Sequence, residues 1–184
     1  MHCFASNCYL VVSEKGNCAI IDPGMEPENI IKSIEENHLT PKMILLTHGH
    51  YDHFCAVPGL KEHYPEIQLM AAEKELPLLS DPKKNYSATA VGKAIVLAPD
   101  RLLKEGDTIE LDELEFTVWE TPGHTAGCLT YFCGDAVFTG DTLFVQSCGR
   151  TDMYSSDFMD MVDSLSRLRS VKTNYHMYPG HEQD

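Results

Sequence analysis

Thr47-His48-Gly49-His50-Tyr51-Asp52-His53 places three imidazoles and a carboxylate within six residues, directly after the apolar run Met43-Ile44-Leu45-Leu46. Neutral imidazole and carboxylate are the side chains that hold zinc, iron or manganese. In an extended segment the alternation His-x-His puts both rings on one side, and the adjacent Asp52-His53 then points elsewhere. Four ligands at this spacing suit two neighbouring metals better than one. The apolar run reads as a buried strand, so the cluster falls at its C-terminal end, the edge where open α/β sheets place their sites.

Working outward from this stretch, Asn7 to Val12 and Cys18 to Ile21 read as strands joined by a hairpin-like turn at Ser13-Glu14-Lys15-Gly16-Asn17. Ile30, Ile31 and Ile34 at helical spacing, with Pro27 near the start, predict a helix from Pro27 to His38. Beyond the cluster the sequence predicts a helix over Ala56 to His63, a strand over Ile67 to Ala71 and a helix over Glu73 to Leu79. Ser80 to Arg101 carries two prolines and mixed polarity, and reads as a surface excursion or lid over the site. Thr108 to Leu111, Glu115 to Glu120, Leu129 to Phe132 and Ala136 to Thr139 are strands. Asp157 to Leu168 is a helix, and Tyr175 to Tyr178 a last short strand. These strands cannot all join one parallel sheet. Two facing mixed sheets between helical layers, an α+β arrangement, fit the order better.

Composition narrows the function. The chain has 184 residues, enough for one domain with a sizeable core, and 43% of them are apolar. A formal charge of −14 argues against nucleic acid or an anionic membrane as partner, since both need basic patches. No apolar run is long enough to span a bilayer, and Met1-His2-Cys3-Phe4 lacks the features of a signal peptide. Cys3, Cys8, Cys18, Cys55, Cys128, Cys133 and Cys148 are odd in number and contain no Cys-x-x-Cys, which fits reduced thiols in a cytoplasm.

Three more candidate ligands sit in loops that open directly after strands. They are His124 in Thr121-Pro122-Gly123-His124-Thr125, Asp141 in Thr139-Gly140-Asp141-Thr142, and His181 in Tyr178-Pro179-Gly180-His181. Proline and glycine stiffen these turns and aim the side chain that follows. With His48, His50, Asp52 and His53 they make five histidines and two aspartates, enough for two three-residue ligand sets and a bridging carboxylate. His2, His38, His63 and His176 have no spacing partners and read as surface or supporting residues. Asp22, in Asp-Pro-Gly after a strand, reads either as a hydrogen-bonding support for a ligand or as a plain turn residue. Arg150 and Asp152 read as a salt-linked loop, and Tyr51 as a residue lining the pocket.

Taken together, these pieces resemble the metallo-β-lactamase-fold hydrolases, and among them the short glyoxalase II-like (hydroxyacylglutathione hydrolase-like) group. The Thr-His-x-His-x-Asp-His cluster, Thr121-Pro-Gly-His-Thr125, Phe138-Thr-Gly-Asp-Thr-Leu-Phe144, Cys148-Gly-Arg-Thr-Asp152 and Tyr178-Pro-Gly-His181 run in family order. Asn7-Cys-Tyr-Leu10 and Ile21-Asp-Pro-Gly24 match the family's opening hairpin. The resemblance implies an αββα sandwich with a dinuclear centre. His48, His50 and His124 would hold one ion, Asp52, His53 and His181 the other, and Asp141 would bridge. Zinc is the favoured metal, with iron or manganese as alternatives.

The chemistry so implied is hydrolysis of a small thioester or ester, such as an S-acylglutathione-like compound, by a metal-bridging hydroxide that the catalytic residue Asp52 orients. Residues 1–184 read as a single domain, trimmed at both ends relative to that family or a minimal form of it. On that reading it is without the C-terminal helical region with which full-length glyoxalase II enzymes bind glutathione. Glu182 stands where relatives often have glycine, at the pocket rim. Two other readings share the fold. One is a persulfide dioxygenase-like oxidoreductase with a single iron on His48, His124 and Asp141, and the other a lactone or β-lactam hydrolase.

Overall fold

The computed structural model describes residues 6–24, 26–90, 92–171 and 174–181. His2, Cys3 and Glu182 lie outside the described residues. Two five-stranded mixed sheets face each other. The first contains β1 (Tyr9–Val12), β2 (Asn17–Ile21), β3 (Thr40–Leu45), β4 (Gln68–Ala72) and β5 (Arg101–Leu103) in that order, with β1 antiparallel to β2 and the others parallel. The second contains β6 (Thr108–Leu111), β7 (Leu114–Glu120), β8 (Leu129–Cys133), β9 (Ala136–Gly140) and β10 (His176–Pro179). Its order is β10-β9-β8-β7-β6, antiparallel except that β10 runs parallel to β9.

The period of two in each strand divides the core into two layers. Ala19 and Ile21 of β2, Met43 and Leu45 of β3, and Met70 and Ala72 of β4 point between the sheets, where they meet Phe116, Val118, Leu129 and Tyr131. Their neighbours Cys18, Ile20, Ile44, Leu69 and Ala71 point outward, onto Ile30 and Ile34 of α1 (Pro27–Glu36), Phe54 of α2 (Tyr51–Phe54) and Leu60 of α3 (Val57–His63). Each leucine, isoleucine, valine, methionine or phenylalanine buried this fully contributes about 2 kcal/mol. Beyond β4 come α4 (Leu76–Leu79) and α5 (Ser87–Ala90). The last helix, α6 (Phe158–Arg169), lies on the outer face of the second sheet, where Arg167 stacks 4.0 Å over Trp119. The expected αββα layering of two mixed sheets is the architecture found.

Several expected boundaries shift, for physical reasons. β3 begins at Thr40 rather than Met43, because a bulge opposite Cys18 and Ala19 accommodates Pro41 inside the ladder. Arg101–Leu103 is a strand where the sequence predicts none, Arg101 falling at the end of the expected excursion; only Leu103 of its residues is buried, so it carries no alternation to see. The helix expected over Glu73 to Leu79 is a 3₁₀ turn over Glu73–Glu75 followed by α4, with Pro77 in the first turn of α4. The 80–101 excursion is an anchored segment, not a free lid. Asn85 is fully buried and donates to the Leu78 and Ile95 carbonyls, and Ile95 and Leu97 join the core.

Candidate metal centre

The loops that follow β2, β3, β7, β9 and β10 gather at one end of the sandwich. β2 ends at Ile21, and the backbone N–H of the next residue, Asp22, donates to the Leu45 carbonyl (3.1 Å), so Asp22 stands beside Thr47 as β3 runs out into His48. Thr47 is held from the other sheet too, its carbonyl accepting from the Leu129 N–H at 2.8 Å. In the second sheet, pairing of Pro179 with Gly140 puts the His181 and Asp141 loops side by side. Gly180 permits that approach: a Cβ there would lie 2.3 Å from Asp141 Oδ1. Asn7, just before β1, and Tyr9, its first residue, close the ring, both donating to the Pro179 carbonyl at 3.1 and 2.6 Å.

All seven residues singled out in the sequence meet here. His48, His50 and His124 bring one nitrogen each within 4.8 Å of one another; so do Asp52, His53 and His181 with one ligand atom each; and His48, His53 and Asp141 form a third such group between them. Asp141 reaches both sets, with Oδ1 3.3 Å from His53 Nε2, and Oδ2 3.4 Å from His124 Nε2 and 3.6 Å from His181 Nε2. His38, His63 and His176 are exposed, His63 beside Glu35 and His176 beside Asp135. Tyr51, expected to line the pocket, is partly buried and packs against the helix-side core.

The partners behind the rings fix which nitrogen each presents. His124 Nδ1–H donates to the Arg150 carbonyl at 2.8 Å, and His53 Nδ1–H to Asp22 Oδ2 at 2.9 Å. Thr47 gives its hydroxyl hydrogen to Asp22 Oδ2 (2.6 Å), so it accepts from His48 Nδ1–H at 3.2 Å. In its neutral form each of these three histidines therefore turns Nε2 toward the centre as an acceptor. Asp22 thus supports two rings at once, from a backbone φ of 48° that an aspartate tolerates. Arg150 and Asp152 form the expected salt link, at 2.6 and 2.8 Å, while the Arg150 backbone orients His124.

This arrangement fits cations. His50 Nδ1 lies 3.0 Å from both His48 Nε2 and His124 Nε2, and its one possible hydrogen cannot serve both contacts. Asp141 Oδ1 is buried with no hydrogen-bond partner among the described residues. Bare nitrogens pressed together and an undonated carboxylate oxygen are costly unless positive charge sits among them. The electrostatics divide along the same line. Burial pushes His48 well below the usual imidazole range, helped by the neighbouring rings, and brings His50 down to about 3. Burial also opposes charge on His53 and His181. Asp141 and Asp22 outweigh it for His53, and Asp52 and Asp141 for His181, so both are raised.

Sequence reading missed four contributors: Thr47, Glu75, Tyr86 and Phe144. The Tyr86 ring stands 5.4 Å from that of His50, from a positive φ of 67° that is unusual for a bulky residue. The Phe144 ring lies 6.0 Å from His181. Glu75 lies behind the ligand loops. The signal available for Thr47 and Phe144 was adjacency to the ligand motifs.

Two helix-flanked mixed sheets with a histidine and aspartate cluster at one end define a metallo-β-lactamase fold, and the chain belongs to the metallo-beta-lactamase superfamily, whose family model matches residues 2–181. Within it the chain is a metal-dependent hydrolase. It is similar to the hydroxyacylglutathione hydrolase GloC of Haemophilus influenzae, 34% identical over 97% of this chain and 86% of that one. Among solved structures, TTHA1623 in a di-iron-bound form is 35% identical with a TM-score of 0.85, covering 100% of this chain and 90% of that one. The B3 metallo-beta-lactamase BLEG-1 is 32% identical with a TM-score of 0.89, covering 97% and 87%. ETHE1 from Myxococcus xanthus is 29% identical with a TM-score of 0.77, covering 98% and 72%. Among the described residues no helix is long and apolar enough to cross a membrane.

Proposed function

We propose that this chain is a single-domain, cytoplasmic thioester hydrolase. In this reading His48, His50 and His124 hold one divalent ion, Asp52, His53 and His181 hold a second, and Asp141 spans the two. The observation that carries it is the convergence of the three imidazole nitrogens at 3.0 Å contacts, with Asp141 reaching into both sets. Similarity to GloC over nearly the whole of both chains supports a small S-acyl thioester, of the hydroxyacylglutathione kind, as substrate. Zinc suits the nitrogen-rich set best, and iron is the second choice.

When bound, such a metal pair supplies an acidified water and a Lewis acid for the carbonyl. The chain's own residues supply the rest. Asp52, with Oδ2 3.4 Å from His181 Nε2 and its side chain partly exposed, is placed to accept a hydrogen bond from the attacking water and aim it. Tyr86 and Phe144 wall the cleft beside His50 and His181. Rings held by Thr47, Asp22 and Arg150 do not swing as charge builds, so little reorganisation is needed. A thiolate leaves without much protonation, which removes the need for a separate general acid.

The test is metal quantitation on the purified protein beside turnover of a panel of thioesters, lactones and β-lactams. The expected result is two ions per chain and thioester cleavage without oxygen, with His50→Ala losing at least a thousandfold in kcat/KM. Full thioesterase activity in stripped protein or in His50→Ala would sink the reading. Likeness to ETHE1 over 98% of this chain favours one second reading, an iron oxygenase using His48, His124 and Asp141. One iron per chain with oxygen uptake on a persulfide would establish it instead.

A further inference from the structure

Glu75 has no obvious business in the interior. It stands in Glu73-Lys74-Glu75, a stretch with the composition of a solvated turn, yet its side chain is 0 % exposed. Among the described residues it makes no ion pair. What it has is donors. Gly49 N–H donates to Oε2 at 2.6 Å; Thr125 Oγ1–H and Gly127 N–H donate to Oε1 at 2.8 and 2.9 Å. Gly49 is the residue between His48 and His50, and Thr125 directly follows His124. One carboxylate therefore ties together the two loops that carry the three imidazoles of the first ligand set. Its contact with both loops is tight enough to dictate their composition: a Cβ on Gly49 would lie 2.8 Å from Oε2, and one on Gly127 would lie 2.6 Å from Oε1. Among the described residues Glu75 makes no hydrogen bond to Asp52, His53 or His181.

We propose that Glu75 is a positioning residue for the first ion alone: it sets the distance between the His48–His50 loop and the His124 loop, and it must be a carboxylate to do so. The acceptor-only character follows from the geometry. Three donors converge on two oxygens, so an amide in the same place turns its NH2 group toward one of the loops whichever way it sits, and that loop loses its tether. A buried anion next to two ligand loops also favours a cation between them. This rests on the assignment of the seven residues to two ions, and the experiment separates the two ideas.

Zinc uptake is titrated against a chromophoric chelator in the full chain. Wild type is expected to take two ions. Glu75→Gln is expected to keep one at wild-type affinity and to bind the other at least tenfold more weakly, in line with the 10–100-fold effects of removing outer hydrogen bonds from metal sites. The double variant Glu75→Gln/His181→Ala should hold none tightly, because the retained ion is the one His181 helps to bind. Exposed Glu73→Gln, with the same change of charge, should match wild type. Thr125→Val keeps the loop and drops one of the three bonds, so it should weaken the same ion by a smaller factor; Thr125→Ser should restore it. Should Glu75→Gln not fold, the Thr125 pair gives the answer, and an unchanged first ion in Thr125→Val overturns the proposal. Two ions bound normally by Glu75→Gln overturn it directly, as does equal weakening of both. If wild type itself fails to take two ions, the dinuclear reading falls first and this proposal with it.

Discussion

Asp22 holds a ring from each proposed ligand set without belonging to either. Its two carboxylate oxygens receive the Thr47 N–H at 2.7 Å, the Thr47 hydroxyl at 2.6 Å and His53 Nδ1–H at 2.9 Å. It thereby orients His53 directly and His48 through Thr47, one ring from each proposed ligand set. Asp22→Asn keeps the shape but turns an NH2 group toward one of three donors. We expect a loss of about 1–3 kcal/mol in stability, the cost of leaving a buried donor without an acceptor, and weaker binding of both ions. Chemical denaturation and the same chelator titration check this; weakening confined to one ion would show that Asp22 supports only His53. The contrast with Glu75, which should affect one ion only, is a direct consequence of which loops each carboxylate touches. It also marks the limit of sequence reading at this scale. Asp22 was visible because it stands in an Asp-Pro-Gly turn right after a strand. Glu75 was not, because a glutamate in Glu-Lys-Glu looks like surface until the fold folds two glycine-containing loops over it.

At the level of elements, the legible parts were those whose pattern is local. Ile30 and Ile34 at helical spacing announced α1, and the apolar Met43 to Leu46 announced the strand that delivers the cluster. β5 was illegible because its three residues bury one side chain, and the first half of β3 was hidden by Pro41, which only a bulge against β2 makes acceptable. The anchoring of the 80–97 segment depends on Asn85, whose bonds to Leu78 and Ile95 span residues that no local pattern links. Helix α6 was legible to within a residue at each end, and Asp157, expected as its first residue, is its N-cap. The Asp157 side chain accepts from the Met159 and Asp160 N–H groups at 2.7 and 3.0 Å, and its own N–H donates to the Gly123 carbonyl, next to His124. Asp157→Ala removes the cap but keeps that backbone bond. We expect a cost of about 1 kcal/mol, read by urea denaturation, with metal uptake unchanged. Lost metal uptake would mean that the cap, and not the backbone, holds the His124 loop.

Across the whole molecule the two sheets are clasped at both ends, by different chemistry. At the far end from the ligand loops, the β6–β7 turn meets the β1–β2 turn. Asp112 there accepts from Ser13 Oγ, Asn17 Nδ2 and Lys15 Nζ, while Glu113 accepts from the Glu14 N–H. These bonds hold Asp112 down to about 2, far into the ionised range at neutral pH. At the near end the proposed ligands come from both sheets, His48 to His53 from the first and His124, Asp141 and His181 from the second, so an ion held by them would crosslink the sandwich. Binding to the folded state alone stabilises it by about 4 kcal/mol per ion at a thousandfold excess over Kd, and for a domain of this size that is a rise in Tm of roughly 8–16 °C. Asp112→Ala should lower Tm by a few degrees with metal uptake intact. The clasps share no residue, and changes at independent sites add. The metal-induced rise in Tm, measured by adding zinc to chelator-treated protein, should therefore be the same in Asp112→Ala as in wild type. A rise that shrinks by more than half in the variant would mean that the far turn sets the spacing of the ligand loops, and that the sandwich behaves as a lever between its two ends instead of two sheets fastened separately.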